Sequence, residues 1–242
     1  MAYKDSSIVP ITHNDWNEIT ARLGRSNGEF TYPHIPASYV IFKEGSKYYA
    51  RNGKTGRIEF SDEDAATTIQ AAINALRGGV RGKIFFKNGL YLINNPLEFY
   101  DPDLNFRVIF QGEGRGTILQ ANVDMDVMIE TGEPAQLIHI RDIQFHGNNK
   151  ANYVFYNDIV GGLGVTLINV WIRGAKINGV YLDGSGEWKF INSSVSYNYG
   201  DYDAYFKAGT GITGISSTFD RLYVDSAEVQ TFDCFSRYAR IK

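Results

Sequence analysis

A single cysteine, Cys234, stands among 242 residues, so no internal disulfide can staple the fold. Histidine is scarce as well. The four present, His13, His34, His139 and His146, lack the paired spacing of a zinc site, which leaves a metal staple without ligands. No apolar run approaches the roughly 20 residues of a membrane span. Met1 to Pro10 holds one basic residue, Lys4, and no long apolar stretch, so neither membrane insertion nor a secretory signal peptide is expected. Charge of one sign is also lacking: 24 basic residues stand against 27 acidic ones, a formal net charge of -3. Without a positive field to displace counterions, nucleic acid is not an expected partner. Stability must come from a hydrophobic core, and a chain of this length, 43% hydrophobic, can build one.

Glycine (25 residues) and aromatic side chains (14%) are what the chain has in quantity, and both favour a turn-rich all-β protein over a helical bundle. Three regions separate by pattern. Over residues 1–36, Thr12 fits an N-cap, Trp16, Ile19 and Leu23 recur at helical spacing, and Gly24 stops the pattern. This short helix and the stretch from Asn27 to Pro36 predict an attachment or assembly arm, with a helix lying on the main domain as the alternative. Residues 37–60 alternate as Tyr39–Phe42, Lys47–Ala50 and Arg57–Phe60 between turn residues, which predicts a small antiparallel meander. From 61 to 242, Ser61 is expected to cap a helix over 62–76, with Ala65, Ile69, Ala72, Ile73 and Leu76 on one face. Short strands follow.

Those strands repeat. The pattern apolar-x-x-apolar-x-apolar begins at Ile140, Leu167, Phe190 (with Ser193 as a small polar substitute) and Phe219, starts that lie 27, 23 and 29 residues apart. A second set falls between them: Tyr153–Tyr156, Gly179–Leu182 and Ala204–Phe206. No tight two-residue hairpin turn joins the sets, so successive strands are expected to run round a coil and stack in parallel. The predicted fold is all-β, a right-handed single-stranded parallel β-helix whose open end is plugged by the helix at 62–76.

The residues Asp64–Leu76, Gly78-Gly79, Gly82–Ile93 and Phe110–Gln120, in that order and spacing, closely resemble the N-terminal part of the pectate-lyase-like right-handed β-helix superfamily. That group includes polysaccharide lyases, hydrolases and phage tailspike-like proteins, and the resemblance covers about residues 60–225. It implies the fold, because these motifs build the cap and first coils, and leaves activity open. The polygalacturonase-like hydrolases of the group carry Asn-x-Asp, Asp-Asp, Gly-His-Gly and Arg-Ile-Lys in order. Here Asn122-Val123-Asp124 and Arg240-Ile241-Lys242 occur without the middle two.

Stacked coils place carboxylates at separations suited to glycosidic chemistry, and Asp201, Asp203, Asp220, Asp225, Glu228 and Asp233 cluster late in the chain. Asp203, Asp220 and Asp225 are the catalytic candidates, against a reading of all of them as an ordinary charged surface. Calcium enters only if the chain is a lyase, with Arg221 beside Asp220 and Asp225; otherwise no cofactor and no metal is expected. His146 reads as a turn residue, and Asn169 with Asn192 as a stacked amide ladder. Gln144, Trp171, Ser194 and Tyr223 are expected in one outward column, and Trp171, Tyr199, Tyr202 and Tyr223 are the ligand-binding candidates, because flat aromatic rings suit sugar faces or a neighbouring subunit.

Two functions from different classes remain. The first is a structural, surface-binding β-helix, a virion fibre or spike-like appendage that binds polysaccharide or cell-surface glycan, located on the virion or an extracellular surface. The alternative is a secreted polysaccharide lyase or glycoside hydrolase. The absence of a signal peptide and of a recognisable catalytic motif favours the first. Phe235 to Lys242 offers no capping pattern, so a homo-oligomer, a trimer, or a virion assembly is expected to cover that end.

Overall fold

In the computed structural model of the chain, the described residues are 37–241 apart from 78–80, 100–106, 132–136, 159–163, 185, 208–209 and 226, together with 25–26 and 29–30. The helix expected near Trp16 lies outside them. Within the arm, β1 (Arg25–Ser26) pairs antiparallel with β2 (Glu29–Phe30). The meander forms as expected: β3 (Tyr39–Glu44), β4 (Lys47–Asn52) and β5 (Ile58–Asp62) pair antiparallel in sequence order.

The helix, α1 (Ala65–Asn74), starts later than the sequence suggests. Ser61 cannot cap it because β5 runs through that position. The cap is Asp64, whose carboxylate accepts from the Ala66 and Thr67 amides at 3.3 and 3.1 Å and so satisfies donors that the first turn leaves open. Its buried stripe, Ala65, Ala66, Thr68, Ile69, Ala72 and Ile73, faces the meander and the first pass of the coil.

From Gly82 the chain winds in passes. The first is β6 (Gly82–Phe86), β7 (Gly89–Ile93) and β8 (Leu97–Glu98), and the second β9 (Arg107–Gln111), β10 (Thr117–Ala121) and β11 (Met125–Glu130). Next come β12 (Leu137–His146) with β13 (Ala151–Asn157), then β14 (Val165–Arg173) with β15 (Asn178–Leu182). After them lie β16 (Glu187–Ile191), β17 (Ser194–Val195) and β18 (Ala204–Lys207), then β19 (Gly211–Phe219) with β20 (Arg221–Asp225), and finally β21 (Glu228–Phe235) with β22 (Tyr238–Ile241). Every pairing between successive passes is parallel, and the strands sort into a thirteen-stranded first sheet and a seven-stranded second sheet. This is a parallel β-solenoid. β3 pairs in parallel with β6, so the meander extends the first sheet.

Inward residues stack by register. Ile84, Phe110, Ile140, Leu167 and Phe190 form one buried column, and the column ends at Gly214, where the Phe190 ring turns edge-on to Phe219 at 5.1 Å. Strand alternation sends the intervening side chains outward. The first sheet bends at one residue per pass: Asp142, Asn169, Asn192 and Ser216, all with φ between 48° and 56°. Asp and Asn tolerate that left-handed backbone best among non-glycine residues. The expected amide ladder runs along them, Asn192 Nδ2 donating to Asn169 Oδ1 (2.6 Å) and Asn169 Nδ2 to Asp142 Oδ1 (2.9 Å). In the preceding pass the equivalent position is Gly112, and there the reason is space and not the sign of φ: a Cβ would lie 2.4 Å from the Asp142 carbonyl oxygen.

One repeat is corrected. Phe219 pairs with Val195 in the second half of the first sheet, and Leu222-Tyr223-Val224 pairs with Ala204-Tyr205-Phe206 in the second sheet. The true counterpart of Phe190 is Gly214, which no apolar pattern could reveal.

Candidate functional site

Moving that repeat exposes a different column. Outward on the second sheet, Tyr156, Tyr181, Tyr205 and Tyr223 occupy one register on four successive passes, with Glu130 before them and Arg240 after. The rings stack in sequence, 5.1 Å and 8° from Tyr156 to Tyr181, 5.1 Å and 14° to Tyr205, and 4.4 Å and 17° to Tyr223. The strand spacing of about 4.8 Å imposes this offset stacking. The Arg240 guanidinium sits 6.0 Å from the Tyr223 ring and closes the column by cation–π attraction. Tyr153 and Tyr202 flank it at 4.9 Å from Tyr156 and 5.1 Å from Tyr223.

Two residues beyond each ladder tyrosine comes a charged group: Asp158, Asp183, Lys207 and Asp225. Tyr156 Oη donates to Asp158 at 3.1 Å and Tyr223 Oη to Asp225 at 3.4 Å, while Lys207 Nζ binds Asp183 at 2.7 Å. Burial first, and then the Asp158 carboxylate, push the Tyr156 phenol up to about 12. Lys207 is held above the usual lysine range chiefly by its bond to Asp183. Because ring faces contact one another, half-buried Tyr156, Tyr181 and Tyr205 present phenol edges to solvent beside the carboxylates, while Tyr223, only 6% exposed, ends the column as a covered ring. Those groups accept and donate hydrogen bonds in a row with the period of the coil.

The expected site residues divide. Tyr202 and Tyr223 belong to this patch. Tyr223 is not in the Gln144 column, whose register runs Gln144, Trp171, Ser194 and Thr218 on the other sheet. Trp171 lies there, with the Arg115 guanidinium 4.4 Å from its ring. Tyr199 is exposed in the turn between β17 and β18. Among the described residues, neither stacks on a ladder ring.

The carboxylate candidates also divide. Asp203 is completely buried and its two oxygens are taken, by Arg221 Nε (2.8 Å), Arg221 Nη2 (3.2 Å), the Asn198 amide (2.8 Å) and Asn198 Nδ2 (2.9 Å). It pins the turn before β18 and, with no exposed surface, offers neither oxygen to a sugar. Asp220 lies 3.6 Å from Arg237, and Asp225 borders the tyrosine column. The side chains of Glu228 and Asp233 lie outside the described residues. Among the described residues, no three His, Cys, Asp or Glu side chains converge on a metal position. His146 ends β12 with its buried Nδ1 lacking a partner, and burial, then the Arg173 charge, hold its pKa below the ordinary histidine value.

The chain matches no family model, no curated protein and no solved structure. What it can do must be read from its own faces. All four ladder strands show in the sequence, but the repeat starting at Phe219 places Tyr223 in the other set of strands, and so the ladder is missed. The signal was an apolar-Tyr-apolar triplet, Phe155-Tyr156-Asn157 in relaxed form, then Val180-Tyr181-Leu182, Ala204-Tyr205-Phe206 and Leu222-Tyr223-Val224.

Proposed function

We propose that the chain is a non-catalytic, glycan-binding β-solenoid of the surface-appendage kind, whose ligand-contacting face is the tyrosine column of the second sheet. The observation that carries this is the column itself: four tyrosines in register with three carboxylates and a lysine alongside. Such a row supplies hydroxyl, carboxylate and ammonium groups at one per coil, which suits a polymer that repeats its hydroxyls along an axis. The carboxylate row repels polyanions, so the ligand is a neutral glycan. The resemblance to the pectate-lyase-like superfamily and the setting on a virion belong to the same proposal and rest on the sequence motifs. Against the lyase or hydrolase alternative stands Asp203, whose oxygens are engaged within the fold.

The test uses the full chain on immobilised neutral and acidic polysaccharides, with product release followed with and without calcium. The paired variant Tyr156→Phe/Tyr181→Phe removes two hydroxyls and keeps both rings. The expected result is binding to a neutral glycan that drops about tenfold in that variant, from roughly 0.5–1.5 kcal/mol per lost hydrogen bond, without product release. Products that disappear on Asp225→Asn would establish the enzyme instead.

A further inference from the structure

At its N-terminal end the outward side of the first sheet carries the opposite chemistry. A groove of about 960 Å³ opens where β3, β6, β9 and β12 run side by side. Its charged lining is Lys54, Arg81, Lys83 and Arg107, with His139 beside them and no Asp or Glu among the described lining residues. Strand register fixes the arrangement. Lys83 and His139 pair with Ile109 from either side, Arg107 precedes Ile109 by two residues on the same face, and Leu137 pairs with Arg107. Neighbouring strands lie about 4.8 Å apart and same-face residues about 7 Å apart, so Arg81, Lys83 and Arg107 are neighbours and the aliphatic Ile109 and Leu137 lie between them and His139. Ile109, at its centre, is 41% exposed.

None of the ion pairs formed among the described residues includes these basic side chains. The carboxylate held by two lining residues, Glu59, has both oxygens occupied, Oε2 by Tyr39 Oη (2.7 Å) and Oε1 by Asn52 Nδ2 (2.8 Å). Gathering unpaired cations in one concavity raises electrostatic free energy, and a bound anion lowers it again. On a chain of net charge -3 this concentration is local.

We infer that this groove binds a ligand bearing sulfate- or phosphate-ester groups on a scaffold with apolar faces, such as an esterified sugar. The cations converge from the β4–β5 turn (Lys54), from the residue before β6 (Arg81) and from the strands (Lys83, Arg107). A tetrahedral ester directs oxygens toward several sides at once, whereas a carboxylate offers two in one plane. Ile109 and Leu137 meet the scaffold's C–H surface. The volume suits a small organic ligand, which needs roughly 300–1,000 Å³, and exceeds what a single ion fills. The inference does not depend on the tyrosine column, which lies on the other sheet.

Calorimetric titration of the full chain tests it, with sucrose octasulfate and inositol hexakisphosphate as ester probes. Sucrose, a galacturonate trimer and a short single-stranded oligonucleotide serve as comparators. At least one ester is expected to bind more tightly than every comparator, with affinity that falls as salt rises, and the tighter of the two assigns sulfate or phosphate. Arg81→Gln and Arg107→Gln, both at exposed positions, are each expected to weaken that binding about tenfold, the effect of one charge-assisted hydrogen bond. Lys47→Gln, exposed on the meander, and Tyr156→Phe/Tyr181→Phe leave it unchanged. Failure of both esters to bind overturns the inference. So does a galacturonate trimer or an oligonucleotide that binds as well, or ester binding that survives both arginine substitutions in variants that melt no lower than the parent.

Discussion

On the second sheet the outward side chains satisfy one another: tyrosine rings stack on tyrosine rings, the Tyr156 and Tyr223 hydroxyls reach carboxylates two residues on, and Lys207 is held by Asp183. At the N-terminal end of the first sheet they do not, and Lys83, Arg107 and His139 surround an exposed isoleucine without an ion partner among the described residues. Both faces share one backbone with one strand spacing. What differs is whether the sequence places complementary or like groups at equivalent positions of successive passes. A solenoid amplifies either choice, because every side chain recurs about 4.8 Å from its counterpart. Complementary columns contribute stability, and like-charged columns concentrate a field that an outside ligand can use.

The largest effect that tests this contrast belongs to the most completely satisfied group. Asp203→Ala leaves the Arg221 guanidinium and the Asn198 amides beside an empty pocket, and Arg221 keeps a charge that the lost carboxylate had compensated. Arg221 is about a third exposed and keeps its bonds to the Gly200 and Asn198 carbonyls, so the cost comes mainly from the orphaned Asn198 donors and is about 2–4 kcal/mol. Chemical denaturation followed by circular dichroism is expected to show a loss in this range. A change below about 1 kcal/mol would mean that the turn before β18 does not depend on its ion pair, and the satisfied side of the comparison would lose its anchor.

How much of this could be read beforehand differs between the fold and the faces. The coil was legible because its inward columns are strictly apolar at Ile140, Leu167 and Phe190, and because Asn169 and Asn192 mark the bend with a residue type suited to positive φ. Legibility failed where that code lapses. In the pass of β19, Gly214 and Ser216 stand where a large apolar residue and an asparagine stood before, so the pattern is recovered only from Phe219 onward. There a single corner residue, Asp220, joins two sheets, and the two strands read as one. That slip hid the tyrosine column. The basic groove was invisible for another reason: Lys54, Arg81, Lys83, Arg107 and His139 span 86 positions of sequence, from 54 to 139, and only strand pairing, antiparallel in the meander and parallel along the coil, brings them together. A net charge of -3 gave no hint of it.

A middle-sized effect tests whether the aromatic column is cohesive or merely adjacent. Tyr205 has ring partners on both sides, Tyr181 at 5.1 Å and Tyr223 at 4.4 Å. Tyr205→Ala removes both stacks, each contributing about 0.5–1.5 kcal/mol beyond area burial, for an expected loss of about 2–3 kcal/mol. Tyr197, 70% exposed, provides the internal reference: Tyr197→Ala is expected to stay within about 0.5 kcal/mol of the parent. Urea midpoints for the two variants measure the difference directly. Equal midpoints would show that stacking contributes nothing and that the column is only surface cover.

The smallest expected effect is the sharpest, because its sign separates the two faces. Arg107→Gln keeps a polar stem in β9 and removes one of the clustered charges. Since no ion pair among the described residues is lost, nothing should be forfeited, and relief of repulsion from Lys83 and Arg81 should raise stability by up to about 0.5 kcal/mol at low ionic strength. The gain should vanish near 1 M salt, where the Debye length is about 3 Å and like charges on neighbouring strands no longer sense each other. Thermal midpoints of parent and variant at both salt concentrations decide it. A loss above about 1 kcal/mol that persists in high salt would mean Arg107 is held within the fold. The groove would then be another satisfied surface, with no field left over for a ligand.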